Sequence, residues 1–324
     1  MLSDFIDNKR TKGQYFTQYN PFDNKAFQDW SRECNLEENT ILEPFAGSNN
    51  LIKMLQNMGL CNNFISYDIE PKDQNVLFKD TLKDFPSNHD ICITNPPYLA
   101  QNSAKRRGLF YPKTRYDDLY KFALDKCLEN CKNVGAIIPA SFLNSQLFRD
   151  RLSHYILLNG KMFNETEHPV CLALFQEQSS DVELYQDKEF IGKLSEFEKK
   201  LPKAEHKVEM KFNDKAGKLG LIAIDNTIEP SIRFCNGNEI NPDKVGSSSR
   251  SITRISISRS SASLIDCDIE KLIKNLNEML NGFRKETYDI FLTPFKGLRK
   301  DNKYRRRLDY ALARDVINQV YFLA

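Results

Sequence analysis

The tetrapeptide Asn95-Pro96-Pro97-Tyr98, directly after the apolar run DICIT, is the most chemically specific feature of the sequence. Two consecutive prolines freeze two φ angles and remove two N–H donors. The Asn95 side chain and the Pro96 carbonyl are left as rigid acceptors beside the aromatic ring of Tyr98. An exocyclic NH2 offers two hydrogens that such a pair can accept, while Tyr98 can stack on the ring that bears it. Asn95, Pro96, Pro97 and Tyr98 therefore read as a socket for a planar amine.

A second group begins at Glu43-Pro44-Phe45-Ala46-Gly47-Ser48-Asn49-Asn50. Gly47 permits a tight turn and close approach of a ligand to the backbone, and a helix N-terminus follows. The spacing is not GxGxxG, so a pyrophosphate is not the expected ligand. About twenty residues on, Asp68 closes the run FISYD, where an acid can accept from two ribose hydroxyls. Glu70 competes with it for that role.

These residues need a scaffold that brings them together. Helical spacing of Phe22, Ala26, Phe27, Trp30 and Cys34 predicts a first helix, and an alternation follows. Strands are expected at 40–43, 64–68, 76–78, 91–94 and 134–138, with the apolar run 170–175 beside them. Helices are expected at 51–58, around 119–127 and over 145–158. This pattern specifies an α/β fold with a mostly parallel sheet covered on both faces, whose ligands gather beyond the carboxyl ends of the strands. Past about residue 180 the sequence turns Lys-rich and Ser-rich, then forms one strong helix through Ile269, Leu272, Ile273, Leu276, Met279 and Leu280. A boundary at 180/181 is expected.

The 324 residues suit two domains, and no apolar run is long enough for a membrane span. The start, MLSDFIDNKR, lacks the apolar core of a signal peptide, so the expected location is the cytoplasm. Eight scattered cysteines and four histidines give no zinc framework, and free thiols are expected, with no metal. The net charge of +2 is unevenly spread: from Gly246 onward 15 Lys and Arg face 9 Asp and Glu. Lys296, Arg299, Lys300, Arg305, Arg306 and Arg307 form one basic strip, Arg250, Arg254 and Arg259 a second, and Lys105, Arg106 and Arg107 a third. Phosphate neutralisation is the use such strips suggest.

Together these motifs resemble the amino-methylating DNA methyltransferases that use S-adenosyl-L-methionine, with NPPY in the form seen in adenine-N6 enzymes. The resemblance spans roughly residues 12 to 176. It implies a Rossmann-like methyltransferase fold over residues 1–180 and a DNA target-recognition domain over 181–324, in the gamma order of motifs. It also implies cofactor contacts at Thr17, Glu43, Phe45, Ala46, Gly47, Asp68 and Asp80. Thr17 lies in Gly13-Gln14-Tyr15-Phe16-Thr17 and would meet the cofactor's carboxylate, and Asp80 its adenine amino group. Tyr98 and Phe163 would stack on the extruded base. Two departures are Asn49, where the family turn usually has Gly, and Gln18, where proline is common.

The implied reaction is methyl transfer to the N6 amino group of a flipped adenine in double-stranded DNA, as the modification enzyme of a type II restriction-modification system. A cognate restriction endonuclease is then a candidate partner. The alternatives are an RNA base-amino methyltransferase, as in rRNA, and a protein glutamine N-methyltransferase. A nucleic-acid-binding protein with an inactive fold is disfavoured by the intact socket.

Overall fold

A computed structural model describes residues 20–158, 168–204, 206–258 and 268–321, in two compact units, 1–194 and 195–324. In the first unit α1 (Lys25–Glu33) starts at Asn24, whose side chain accepts from the Phe27 N–H. Then come β1 (Thr40–Glu43), α2 (Asn50–Asn57), β2 (Asn63–Asp68), β3 (Val76–Phe78), β4 (Ile91–Thr94), α3 (Gln101–Arg106), α4 (Leu119–Asn130) and β5 (Asn133–Pro139). The strands β6 (Leu152–Leu158), β7 (Val170–Phe175), β8 (Glu183–Gln186) and β9 (Glu189–Lys193) follow, and α5 (Leu194–Glu198) spans the boundary.

These nine strands form one sheet in the order β3-β2-β1-β4-β5-β7-β6-β8-β9. The pairs from β3 through β5 are all parallel, and β7 enters antiparallel to both β5 and β6. Side chains alternate between the two faces of a strand. Ile91 and Ile93 pack with Phe27, Trp30, Leu51, Ile52 and Leu55 from α1 and α2, whereas Cys92 meets Cys127 and Cys131 at α4. Both faces are covered, as a mostly parallel sheet requires. The chain runs from β1 outward to β2 and β3, then crosses back to β4 on the other side of β1. The crevice between the ends of β1 and β4 is the topological switch point, the place where such sheets hold ligands.

One expected element differs. Residues 145–158 do not form a helix: Gln146 and Phe148 take left-handed backbone conformations, and 152–158 is a strand between β7 and β8. A strand buried on both faces reads as a continuous apolar run, which periodicity cannot separate from a buried helix. The first unit also continues past residue 180, because β8 and β9 extend its sheet.

The second unit contains β10 (Glu209–Phe212), β11 (Leu219–Ile222), β12 (Arg233–Asn236), β13 (Ile252–Ser258), α6 (Ile269–Glu286), β14 (Thr293–Leu298), β15 (Tyr304–Arg307) and α7 (Tyr310–Tyr321). Four strands pair antiparallel in the order β10-β13-β11-β12, and β14 and β15 make a two-stranded ribbon. Leu219, Leu221, Phe234 and Ile255 of the sheet pack with Leu272, Leu276, Leu280, Val316 and Ile317 of α6 and α7. Each unit thus has its own core. Among the described residues no helix is long and apolar enough to cross a membrane, and no cluster of His, Cys, Asp or Glu could hold a metal ion.

Candidate active site

Neighbouring strands place the two main motifs side by side. Ile41 and Leu42 pair with Ile91 and Cys92, so Glu43 ends β1 beside Thr94 at the end of β4. The turn after Glu43 is built as its sequence demands. Gly47 (φ 51°) and Asn49 (φ 60°) both take left-handed backbone, where glycine is free and asparagine is tolerated. Asn49 fills the place of the family's glycine and also accepts a hydrogen bond from the Ser66 hydroxyl at 2.8 Å. The Ala46 N–H donates to the Tyr67 carbonyl, and the Thr81 hydroxyl donates to the Pro44 carbonyl.

Asp68 holds this turn from the end of β2. One carboxylate oxygen accepts from the Gly47 N–H at 2.8 Å and the other from the Glu70 N–H at 2.7 Å. A carboxylate has about four acceptor sites, so each oxygen keeps one for a hydroxyl. Glu70, the competitor, sits 3.8 Å from the Lys72 ammonium. Asp80, after β3, is paired with Lys83 at 2.9 Å.

Glu43 is 1% exposed, and among the described residues neither carboxylate oxygen completes a hydrogen bond. Burial pushes its carboxyl well above the usual range, against the opposing influence of the Thr94 hydroxyl and the Asn95 N–H. The Thr94 hydroxyl is likewise buried without a partner among the described residues. A buried acid left in this state is costly unless a ligand answers it.

In the amine socket, the Tyr98 hydroxyl lies 2.7 Å from both Asn95 Oδ1 and the Ile137 carbonyl oxygen. It has a single proton for two acceptors. Asn95 Oδ1 and the Ile137 carbonyl oxygen both stand as acceptors toward that hydroxyl, which fixes where the amide oxygen sits. An amide oxygen carries two acceptor lone pairs, so one that takes a hydroxyl proton can also take one from an amine. The ring of Tyr98 is half-buried and meets Tyr120 edge-on, with centroids 6.2 Å apart.

The basic strips fare unequally. Lys105, Arg106, Arg107, Arg250, Lys296 and Lys300 are exposed. Arg299 and Arg306 are buried, which corrects their expected place on a phosphate-binding surface. Arg299 is bound to Asp225 and Asp301, and Arg306 donates from its side chain to the Leu292 carbonyl. Arg305 donates to the Asp225 carbonyl and stacks on Phe295, Arg307 pairs with Asp309, and Arg254 donates to the Gly217 carbonyl. Thr17, Phe163 and Arg259 lie outside the described residues.

Sequence reasoning missed the centre of this network. Asp225, 0% exposed, accepts from Arg284, Arg299 and the N–H groups of Ser231, Ile232 and Arg306. Burial alone would raise its carboxyl, but Arg284 and these N–H groups outweigh it and hold the group below the usual range. Also missed was Ile69, 53% exposed beside Asp68, an apolar face in a polar loop. The only signal for either was a residue type out of keeping with its neighbours.

Residues 9–166, just under half of the chain, match the Eco57I restriction-modification methylase family. No curated protein matches. Among solved structures, a class I S-adenosylmethionine-dependent methyltransferase from Listeria monocytogenes is 12% identical with a TM-score of 0.35, over 57% of this chain and 71% of that one. The type IIG restriction endonuclease BpuSI is 19% identical with a TM-score of 0.39, over 56% of this chain and 28% of that one. A type I restriction-modification methyltransferase subunit from Streptococcus thermophilus is 16% identical with a TM-score of 0.37, over 61% of this chain and 55% of that one. The chain thus spans little more than a quarter to about half the length of these two restriction-modification proteins. Likenesses this distant carry no argument of their own. The sheet with its switch-point site is a Rossmann-like fold, and residues 9–166 within the first unit are similar to the restriction-modification methylases, a likeness that implies S-adenosyl-L-methionine as cofactor. The residues present fit that cofactor, since the unanswered carboxylate of Glu43 suits its ammonium and Asp68 retains acceptor sites for its ribose.

Proposed function

We propose that the chain is a site-specific DNA methyltransferase that modifies the N6 amino group of an adenine flipped out of duplex DNA, as the modification enzyme of a type II system. The observation that carries this reading is the Asn95-Pro96-Pro97-Tyr98 socket next to the orphaned Glu43 at the switch point. The bound cofactor supplies a methyl group already activated on a sulfonium. Glu43 and Asp68 hold its ammonium and ribose, with Thr17, Phe45, Ala46, Gly47 and Asp80 as further contacts and Ile69 as an apolar face for its adenine.

The substrate nitrogen is a poor nucleophile because its lone pair is delocalised into the purine. Asn95 Oδ1 and the Pro96 carbonyl accept its two hydrogens out of the ring plane, which favours a pyramidal nitrogen and localises the lone pair. The same two dipoles stabilise positive charge as it develops there; once methylated, the nitrogen is a far stronger acid than the free amine and releases its extra proton to water, so no strong base is needed. Tyr98 and Phe163 stack on the extruded base. The second unit, with Arg250, Lys296 and Lys300, together with Lys105, Arg106 and Arg107, supplies phosphate contacts that offset the few kcal/mol needed to unstack it.

Transfer of labelled methyl groups to duplex DNA, RNA and protein, followed by mapping of modified bases, tests the reading. Methylated adenine at one recurring DNA sequence is the expected product, and label in glutamine or RNA alone would refute it. Asn95→Ala should lower the single-turnover rate by about 100-fold or more while cofactor and duplex affinities stay near wild type.

A further inference from the structure

The segment from Leu99 to Leu119 leaves the catalytic motif one residue after Tyr98 and returns to it. Its ends are clamped together. The Leu119 N–H donates to the Leu99 carbonyl at 3.0 Å, the Gln101 N–H donates to the Asp117 carbonyl at 2.8 Å, and Ala100 bridges Asp118 in antiparallel fashion. The Asp118 carboxylate also accepts from the Leu99 N–H at 3.2 Å. Inside the excursion Leu99, Ala104 and Leu119 make a small core of their own, against which Leu109 and Tyr111 pack. The Leu109 N–H donates to the Ala104 carbonyl, and the Tyr111 hydroxyl to the Tyr116 carbonyl, each at 3.0 Å.

Between these two anchored residues stands Phe110, 83% exposed, the most exposed large apolar side chain among the described residues. Single exposed apolar residues are ordinary on protein surfaces. Here both neighbours are fixed, so the loop itself holds the ring in water. The surrounding charge is mostly positive: residues 101–116 carry Lys105, Arg106, Arg107, Lys113 and Arg115 and no acid, while Asp117 and Asp118 at the base of the segment are engaged, Asp117 with Lys121 and Asp118 with the Leu99 and Tyr120 N–H groups. Arg115 is engaged with Tyr116 and Asp125, while Lys105, Arg106, Arg107 and Lys113 are exposed.

We infer that residues 99–119 form a finger that meets the duplex at the target base, its cations on phosphates and Phe110 entering the stack where the flipped adenine leaves. Apolar side chains inserted between base steps are a known means of holding a duplex open. The inference rests on the adenine-N6 reading and adds to it the element that opens the helix.

The test uses the full chain and a duplex carrying the site found by mapping. A matching duplex has an abasic position opposite the target adenine, so that flipping no longer breaks a pair. Phe110→Ala should lower the single-turnover rate on the paired duplex by about 10-fold or more and restore it to within about threefold of wild type on the abasic duplex. Phe110→Trp should keep the paired rate, and the thermal midpoint and cofactor affinity should be unchanged because the side chain is exposed. Equal losses on both duplexes, or no loss on the paired one, would overturn the finger alone. Wild-type protein that methylates no DNA adenine would overturn the functional reading and the finger with it.

Discussion

The orientation of one amide decides whether the socket accepts or repels an amine. The Asn95 oxygen can accept from an amine, whereas its NH2 offers only two hydrogens, which an amine conjugated to a ring accepts poorly. The Tyr98 hydroxyl, 2.7 Å from Oδ1 and from the Ile137 carbonyl oxygen, holds the amide oxygen in place. Tyr98→Phe keeps the ring and its stacking but frees the amide, so kcat should fall about 10-fold with duplex affinity retained. A carboxylate in place of the amide has two equivalent acceptors and no orientation to lose. In an Asn95→Asp background the same Tyr98→Phe change should therefore cost little, and it should relieve competition between two acceptors for the one phenolic proton. A double-mutant cycle in single-turnover kinetics reads this directly. Equal losses in both backgrounds would show that the hydroxyl serves only to support the fold.

Asp118 joins two elements, since it starts α4 by accepting from the Tyr120 N–H and closes the excursion of residues 99–119 through the Leu99 N–H. Burial pushes its carboxyl up to about 6, against the pull of those two N–H groups. An acid raised on folding binds its proton more readily in the folded chain. Its contribution to stability is therefore greatest below about pH 4 and declines as pH rises through about 6. Asp118→Asn keeps an acceptor and removes the titration. Its thermal midpoint should gain on wild type between pH 4 and pH 7 and run parallel above, and a constant difference across that range would remove Asp118 from the linkage. Elements like β1, β3 and β4 were legible in sequence because short apolar runs there end at glycine, proline or acidic turns. The strand β6 was not, since burial on both faces removes the alternation that distinguishes strand from helix. Likewise the place of Glu43 at the end of β1, just before its turn, could be read from sequence, but its burial without a partner among the described residues could not. Whether an acid finds a partner depends on what three strands and their loops leave around it.

At the scale of the molecule the basic C-terminal sequence divides into cations that meet solvent and cations that hold the second unit together. Charge counting cannot separate them, because Asp225 is about seventy to eighty residues away in sequence from Arg299 and Arg306. The buried network ties the loop at 225–232 to α6 through Arg284 and to the β14–β15 ribbon through Arg299 and the Arg306 N–H. Removing Asp225 would leave two buried guanidinium groups short of their carboxylate, a loss of about 3–5 kcal/mol. The two units have separate cores, so that loss should fall on one of them. In calorimetry Asp225→Ala should lower the melting transition of the second unit and leave that of the first in place. Cofactor affinity should stay near the wild-type value, because the proposed contacts Glu43, Asp68 and Asp80 all belong to the first unit, whereas duplex affinity should fall at temperatures where the second unit has melted. A parallel fall in cofactor affinity would mean that the second unit completes the cofactor site, and the assignment of that site to strand ends of the first sheet alone would have to be given up.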